Sequence, residues 1–210
     1  MSFPRPLTPD ADAPELTAWL TEWSLLYPCG YDTALSRITF PPTNSFDITA
    51  ICEIVRWKSG PRYADHRVGK VCAFDVANPG AVARHTQAAL TAPTDTEALN
   101  ALRAIPVVRG PAFGSAVLMA GNPSRWTVFD RMANASLVYL RDRLTMRRND
   151  DELFDLQRAL LAFRPTQTKV GYEADARDWV AYLDCCRAIS RATWLSLRTV
   201  DRALYEARAN

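Results

Sequence analysis

The chain has no stretch approaching the about eighteen consecutive apolar residues that a membrane-crossing helix needs. Its first residues, Met1-Ser-Phe-Pro-Arg-Pro6, lack the basic start and apolar run of a secretory leader. Both absences lead to the expectation of a cytoplasmic protein. Five cysteines (Cys29, Cys52, Cys72, Cys185, Cys186) form no C-x-x-C pair and leave one over, so reduced, mostly buried thiols are expected rather than a disulfide framework. With only His66 and His85, and no acids around them at ligand spacing, no metal site and no cofactor are expected. No internal repeat and no run of alternating apolar and polar residues occurs, which excludes solenoids and disfavours sheets. A net charge of +2 is too small to argue for a polyanionic partner by itself.

What is present is helical periodicity. Residues 1–13 are proline-rich and are expected to be extended or disordered; residues 14–210 are long enough for a single domain. Leu16, Trp19, Leu20 and Trp23 repeat at helical spacing before Pro28, and Ile48, Ile51, Cys52 and Val55 do so in a helix ended by Gly60-Pro61. Residues 68–79 mix glycine, β-branched residues and an Asn78-Pro79-Gly80 turn, and read as irregular. Helices are expected over 81–90, over 98–105 behind the capping-box pattern Thr94-x-x-Glu97, and over 112–120 and 131–143. Three more follow, from the acidic residues 150–152 to Phe163, over 173–191, and over 199–208. About eight helices and no strand make the class all-α.

The chain is organised around residues 105–130. An apolar approach, Ile105, Val107 and Val108, meets Gly110-Pro111, where glycine can adopt a positive φ and proline suits the first helical position. The helix that follows carries only small and apolar side chains, suited to close packing, and Gly121-Asn122-Pro123 stops it. Asp130 then opens the next helix. Amides at such a turn and at a helix start form a site for an anion such as phosphate. From residue 101 to 148 eight arginines stand against Asp130 and Asp142, a local charge of +6 in an otherwise acidic chain. A second cluster, Trp57, Lys58 and Arg62, combines a ring that can stack on a base with cations that can meet phosphate.

At these residues the sequence resembles the helix-hairpin-helix DNA glycosylase superfamily, whose signature is an apolar-Gly-apolar-Gly hairpin, a small-residue helix and a catalytic aspartate opening the next helix. Gly110 matches the second glycine, and Asp130 lies twenty residues beyond it. Val108 stands at the first glycine, and Pro111 where bifunctional members carry a lysine nucleophile. The four clustered cysteines that hold an iron–sulfur cluster in some members are absent.

The resemblance implies a two-lobed helical fold, with a hairpin lobe over roughly 81–163, a base pocket between the lobes and Asp130 at its rim. It implies a monomeric, monofunctional glycosylase that flips a modified or damaged base from double-stranded DNA and hydrolyses its glycosidic bond with Asp130, without lyase chemistry. Val108, Arg109, Gly110, Ala112 and Arg131 would hold the backbone, and Trp57, Lys58, Arg62 and Phe113 would line the base pocket. Genome repair and defence against modified phage DNA both fit that activity. Two plainer readings stay open. Aspartate is among the best N-caps, so Asp130 can serve only as a cap, and Gly110-Pro111 can be an ordinary interhelical turn within a non-catalytic DNA-binding module. A helical scaffold acting on protein partners is the third possibility.

Overall fold

The computed structural model describes residues 4–8, 11–28, 44–144, 151–163 and 176–207. Ten helices, and no strand, occur among them: α1 (Ala13–Leu26), α2 (Ile48–Ser59), α3 (Ala64–Ala77), α4 (Ala81–Leu90), α5 (Asp95–Ala101), α6 (Pro111–Gly121), α7 (Arg131–Arg143), α8 (Asp151–Ala162), α9 (Ala176–Thr193) and α10 (Leu197–Glu206). The all-α expectation therefore holds. No helix among the described residues is long and apolar enough to cross a membrane.

The chain forms two compact units. One comprises Met1–Tyr27, Phe129–Val170 and Val180–Asn210; the other comprises Pro28–Val128 and Gly171–Trp179. The division falls between Val128 and Phe129. The bend and α6 thus belong to one unit, while Asp130, α7 and α8 belong to the other.

In the unit containing the bend, α2 packs on α3, α4 on α5, and α6 against α2, α4 and α5. Local chemistry sets the helix starts. Asp47 accepts the Ala50 amide at 2.8 Å, and Thr94 and Glu97 form the full capping box ahead of α5. Phe46 is tied to α4 by a reciprocal pair of bonds: its amide donates to the Thr86 hydroxyl at 2.9 Å, which donates back to its carbonyl at 3.0 Å. Helix α6 is buried at nearly every position, and its glycines make that possible. A Cβ on Gly114 would collide with Leu99 and lie 3.1 Å from the Val108 carbonyl oxygen, and one on Gly121 would collide with Leu90.

In the other unit α1 packs on α10, α10 on α7, and α7 on α8. Asp12 caps α1 by accepting the Glu15 amide at 2.9 Å, and Leu16, Trp19, Leu20 and Trp23 are buried as their spacing predicts. The Ser136 hydroxyl donates to the Leu204 carbonyl at 2.7 Å, fixing α7 to α10. The turn from α9 to α10 holds Trp194 at φ +58° with 93% of its surface exposed, secured by a 2.6 Å bond from Ser190 to the Leu195 carbonyl.

Two sequence expectations are corrected. Residues 64–77 are helical where an irregular segment was expected: Ala64, Val68 and Val71 fall on one face and are buried against α2, and this packing outweighs the roughly 1 kcal/mol helix penalty of Gly69, which faces open space. Helix α5 stops at Ala101, because Leu102 to Val108 turn to enter the bend. Of the segment 1–13, Leu7 is buried and Thr8 donates to Glu15 at 2.6 Å.

The cysteines answer in part. Cys52, Cys72, Cys185 and Cys186 are free thiols, and Cys29 lies outside the described residues. Burial pushes the Cys185 thiol up to about 12, and burial together with Cys72, whose sulfur is 3.6 Å away, does the same to Cys52.

Two predictions follow from this packing. Gly114→Ala lowers stability by about 1–3 kcal/mol through overpacking, read as a reduced urea midpoint at unchanged m-value. The buried thiols stay protonated to a pH at which the unfolded chain has ionised. Stability is therefore fully present below pH 9.0 and falls as pH rises towards about 12, with a slope of about 1.4 kcal/mol per pH unit from Cys185. Cys185→Ala removes its share of that slope in urea titrations taken on both sides of pH 9.0, the ordinary thiol value.

Candidate nucleic-acid interface

The bend begins where Ile105, fully buried, anchors the chain after α5. The Arg109 amide donates back to the Ile105 carbonyl at 3.1 Å, closing one turn. Inside that turn the left-handed position falls at Val107, φ +71°, and not at Gly110, which is extended at φ −97° and ψ 158°. The tight point therefore comes one residue before Val108, where the sequence register puts the first glycine. A β-branched residue there is strained, by on the order of 1–3 kcal/mol, and is held because its side chain is only 8% exposed.

Gly110 is the N-cap of α6 and offers no side chain; Pro111 has no N–H. The Val107, Val108 and Gly110 amides donate to no group among the described residues, and the same holds for the first-turn amides of Ala112 and Phe113. No acid sits in the first turn of α6, so its dipole is uncompensated. Arg109 is exposed beside these donors, while the Val108 side chain is buried, leaving only its backbone for a ligand.

The cluster expected to line a base pocket is partly assembled. Arg62 lies with its guanidinium 5.3 Å from the Tyr63 ring centre; Arg67 stands 5.4 Å from that same ring and 5.0 Å from the ring of Phe113. Arg62 and Phe113 are thus joined through Tyr63 and Arg67, two residues that the sequence reading passed over. Phe113 is buried, at 8% exposure, with Arg67 over its ring. Trp57 and Lys58 are half-buried in the last turn of α2.

The arginines of 101–148 do different work. Arg125 is committed internally: it donates to the Ala92 carbonyl at 2.9 Å, lies 3.8 Å from Asp95 and covers the Trp126 ring, whose Nε1–H donates to Asp95 at 2.9 Å. Arg141 donates to the Phe163 carbonyl at 3.2 Å. Arg103, Arg109, Arg131 and Arg143 are exposed, and Arg147 and Arg148 lie outside the described residues.

Asp130 caps α7. Its Oδ1 accepts the Met132 amide at 2.9 Å, and its carbonyl accepts the Asn134 amide. It is half-exposed, with Arg131 exposed beside it. The preceding Phe129 meets Tyr182 edge-to-face at 5.3 Å. Tyr182 is fully buried and donates to Asp201 at 3.5 Å; burial first, then Cys186 and the charges of Asp201 and Asp130, hold its phenol well above the usual range. Buried Asp201 pairs with Arg198, which donates to the Tyr27 hydroxyl at 3.2 Å. The Arg198–Asp201 spacing of three was the available signal for this pair, and a charged residue on a core face is not otherwise legible in sequence.

No protein-family model, no curated protein and no solved structure matches this chain.

The bend yields a prediction in which the usual order of alanine and glycine reverses. Val107→Gly and Val107→Ala lose the same packing apart from one methyl, but only glycine relieves the left-handed backbone, so Val107→Gly is the more stable by about 1 kcal/mol in urea unfolding. Alanine coming out ahead by its ordinary margin would mean that residue 107 is not left-handed.

Proposed function

We propose that the chain is a monofunctional DNA glycosylase of the helix-hairpin-helix kind, two-lobed and monomeric, that works in the cytoplasm on a modified or damaged base in double-stranded DNA. The observation that carries this reading is the bend: amides at Val107, Val108 and Gly110 with no acceptor among the described residues, continued into the start of α6, whose first turn holds no acid, beside exposed Arg109. Donors so arranged suit a backbone phosphate, with Ala112 at the start of the helix and Arg131 as a further cation. Asp130 is the acid of the mechanism. Breaking an N-glycosidic bond builds positive charge on the sugar, and a carboxylate held by a helix cap can stabilise that charge or orient the attacking water. The flipped base would meet Trp57, Lys58, Arg62 and Phe113. With proline at the nucleophile position of bifunctional relatives, the product is an intact abasic strand. Repair and defence against modified phage DNA are both compatible roles.

A non-catalytic DNA-binding module is the second reading, favoured by one observation: the Asp130 carboxylate already has a structural task in accepting the Met132 amide.

Asp130→Asn separates the two, because asparagine caps a helix about as well as aspartate but carries no charge. A panel of modified duplexes is incubated with each protein, then treated with alkali. Alkali-labile sites made by the wild type, and reduced on the order of 10²-fold or more in Asp130→Asn at unchanged stability, support the enzyme. Equal products from both proteins take Asp130 out of the mechanism, and none from either while duplex binding persists leaves the binding module.

A further inference from the structure

A concavity of about 530 Å³ opens at the bend, lined by Pro106, Val107 and Arg109 and, from α3, by Lys70. Thirty-nine residues separate the two cations in sequence, and both are exposed. Neither makes an ion pair or hydrogen bond among the described residues. The acids of α3, Asp65 and Asp75, each lie five residues from Lys70, which puts them ~140° around the helix from it. Two cations without counter-charges at one hollow repel each other, an arrangement that costs free energy until an anion enters.

The remaining polar surface has the same sense. Val107, whose amide has no acceptor among the described residues, is one of the residues lining the hollow. One turn back along α3 from Lys70 stands Arg67, and Tyr63 is four residues further, 48% exposed and next to the guanidiniums of both Arg62 and Arg67. Tyr63, Arg67 and Lys70 share one face spanning two turns, ~10 Å of rise. A ring and spaced cations in line with a two-cation hollow fit a chain of phosphodiesters better than a lone small anion.

We infer that Lys70 and Arg109 together clamp one backbone phosphate of a nucleic-acid strand, and that the Tyr63–Arg67 face of α3 carries the same strand onward. The inference rests on the bend facing DNA, as in the proposed function, and adds α3 as a second gripping element that the sequence reading did not contain. It does not depend on base excision.

The probe is a short unmodified DNA duplex end-labelled with fluorescein, titrated by anisotropy between about 50 and 200 mM salt. Lys70→Gln is expected to reduce the slope of log affinity against log salt by about 0.9, equivalent to an affinity about eightfold lower near 0.1 M salt. Arg109→Gln behaves alike, and Lys70→Arg keeps most of the binding. Because both cations hold the same phosphate, the double variant loses less than the product of the single losses. Arg56→Gln, exposed on α2 beside Glu53 and not among the residues lining the hollow, leaves the slope unchanged.

The outcomes separate the claims. Binding that weakens in Arg109→Gln but not in Lys70→Gln overturns the clamp and leaves the bend as a DNA contact. Fully multiplicative losses overturn the single shared phosphate. No salt-dependent binding by the wild type overturns both the clamp and the DNA reading, whereas salt-dependent, Lys70-dependent binding without excision of any base leaves the clamp standing and removes only the glycosylase.

Discussion

Close approach of the α6 backbone to its neighbours is the constraint on which the bend and its unit depend. A methyl group at Gly114 would force Leu99 to shift and crowd the Val108 carbonyl, and one at Gly121 would force Leu90 to shift. Because α6 sits so deep, its start is pressed against the chain entering from α5, and the connection must reverse within a few residues. The cost appears as a left-handed valine at 107, tolerated because its side chain is buried and the Arg109 amide closes the turn onto Ile105. The unpartnered amides follow from the same geometry: a sharp reversal running into an uncapped helix has donors that no local carbonyl can reach.

Electrostatics divides into charges that hold the fold and charges that remain available. Arg125 and Asp95 brace the segment after α6, and Arg198 and Asp201 bind the α10 region to Tyr27 and Tyr182. Buried pairs of this kind are costly to break rather than strongly stabilising, since removing one partner strands the other. Lys70, Arg67 and Arg109 have no such acidic partners among the described residues. The contrast is informative about where a polyanion would bind. It replaces the simple count of arginines along residues 101–148 with a smaller set of side chains in one place.

The cap formed by Asp130 and the acid role proposed for it need not compete. A carboxylate that accepts one amide through Oδ1 has its orientation set by the helix it starts, and orientation is what a catalytic acid requires. Its charge adds, after burial, Cys186 and Asp201, to what holds the Tyr182 phenol above its usual range. A cap alone does not need that neighbourhood, but a cap can have it incidentally.

Several helix starts and ends were legible in the sequence, because a cap, a proline or a three-to-four-residue apolar repeat is a local property: Thr94 with Glu97, and Asp130, each act within a single turn. Helix α3 was obscured by Gly69 and its valines, whose local preferences were overruled by burial on α2. The left-handed residue was expected at the glycine and fell on Val107, since the strain is set by where α6 lands and not by which residue bears it best. The meeting of Lys70 with Arg109, the run of Arg62, Tyr63, Arg67 and Phe113, and the burial of Asp201 were decided by tertiary structure alone. Each depends on segments far apart in the chain being packed side by side, and no spacing rule within one segment encodes that distance.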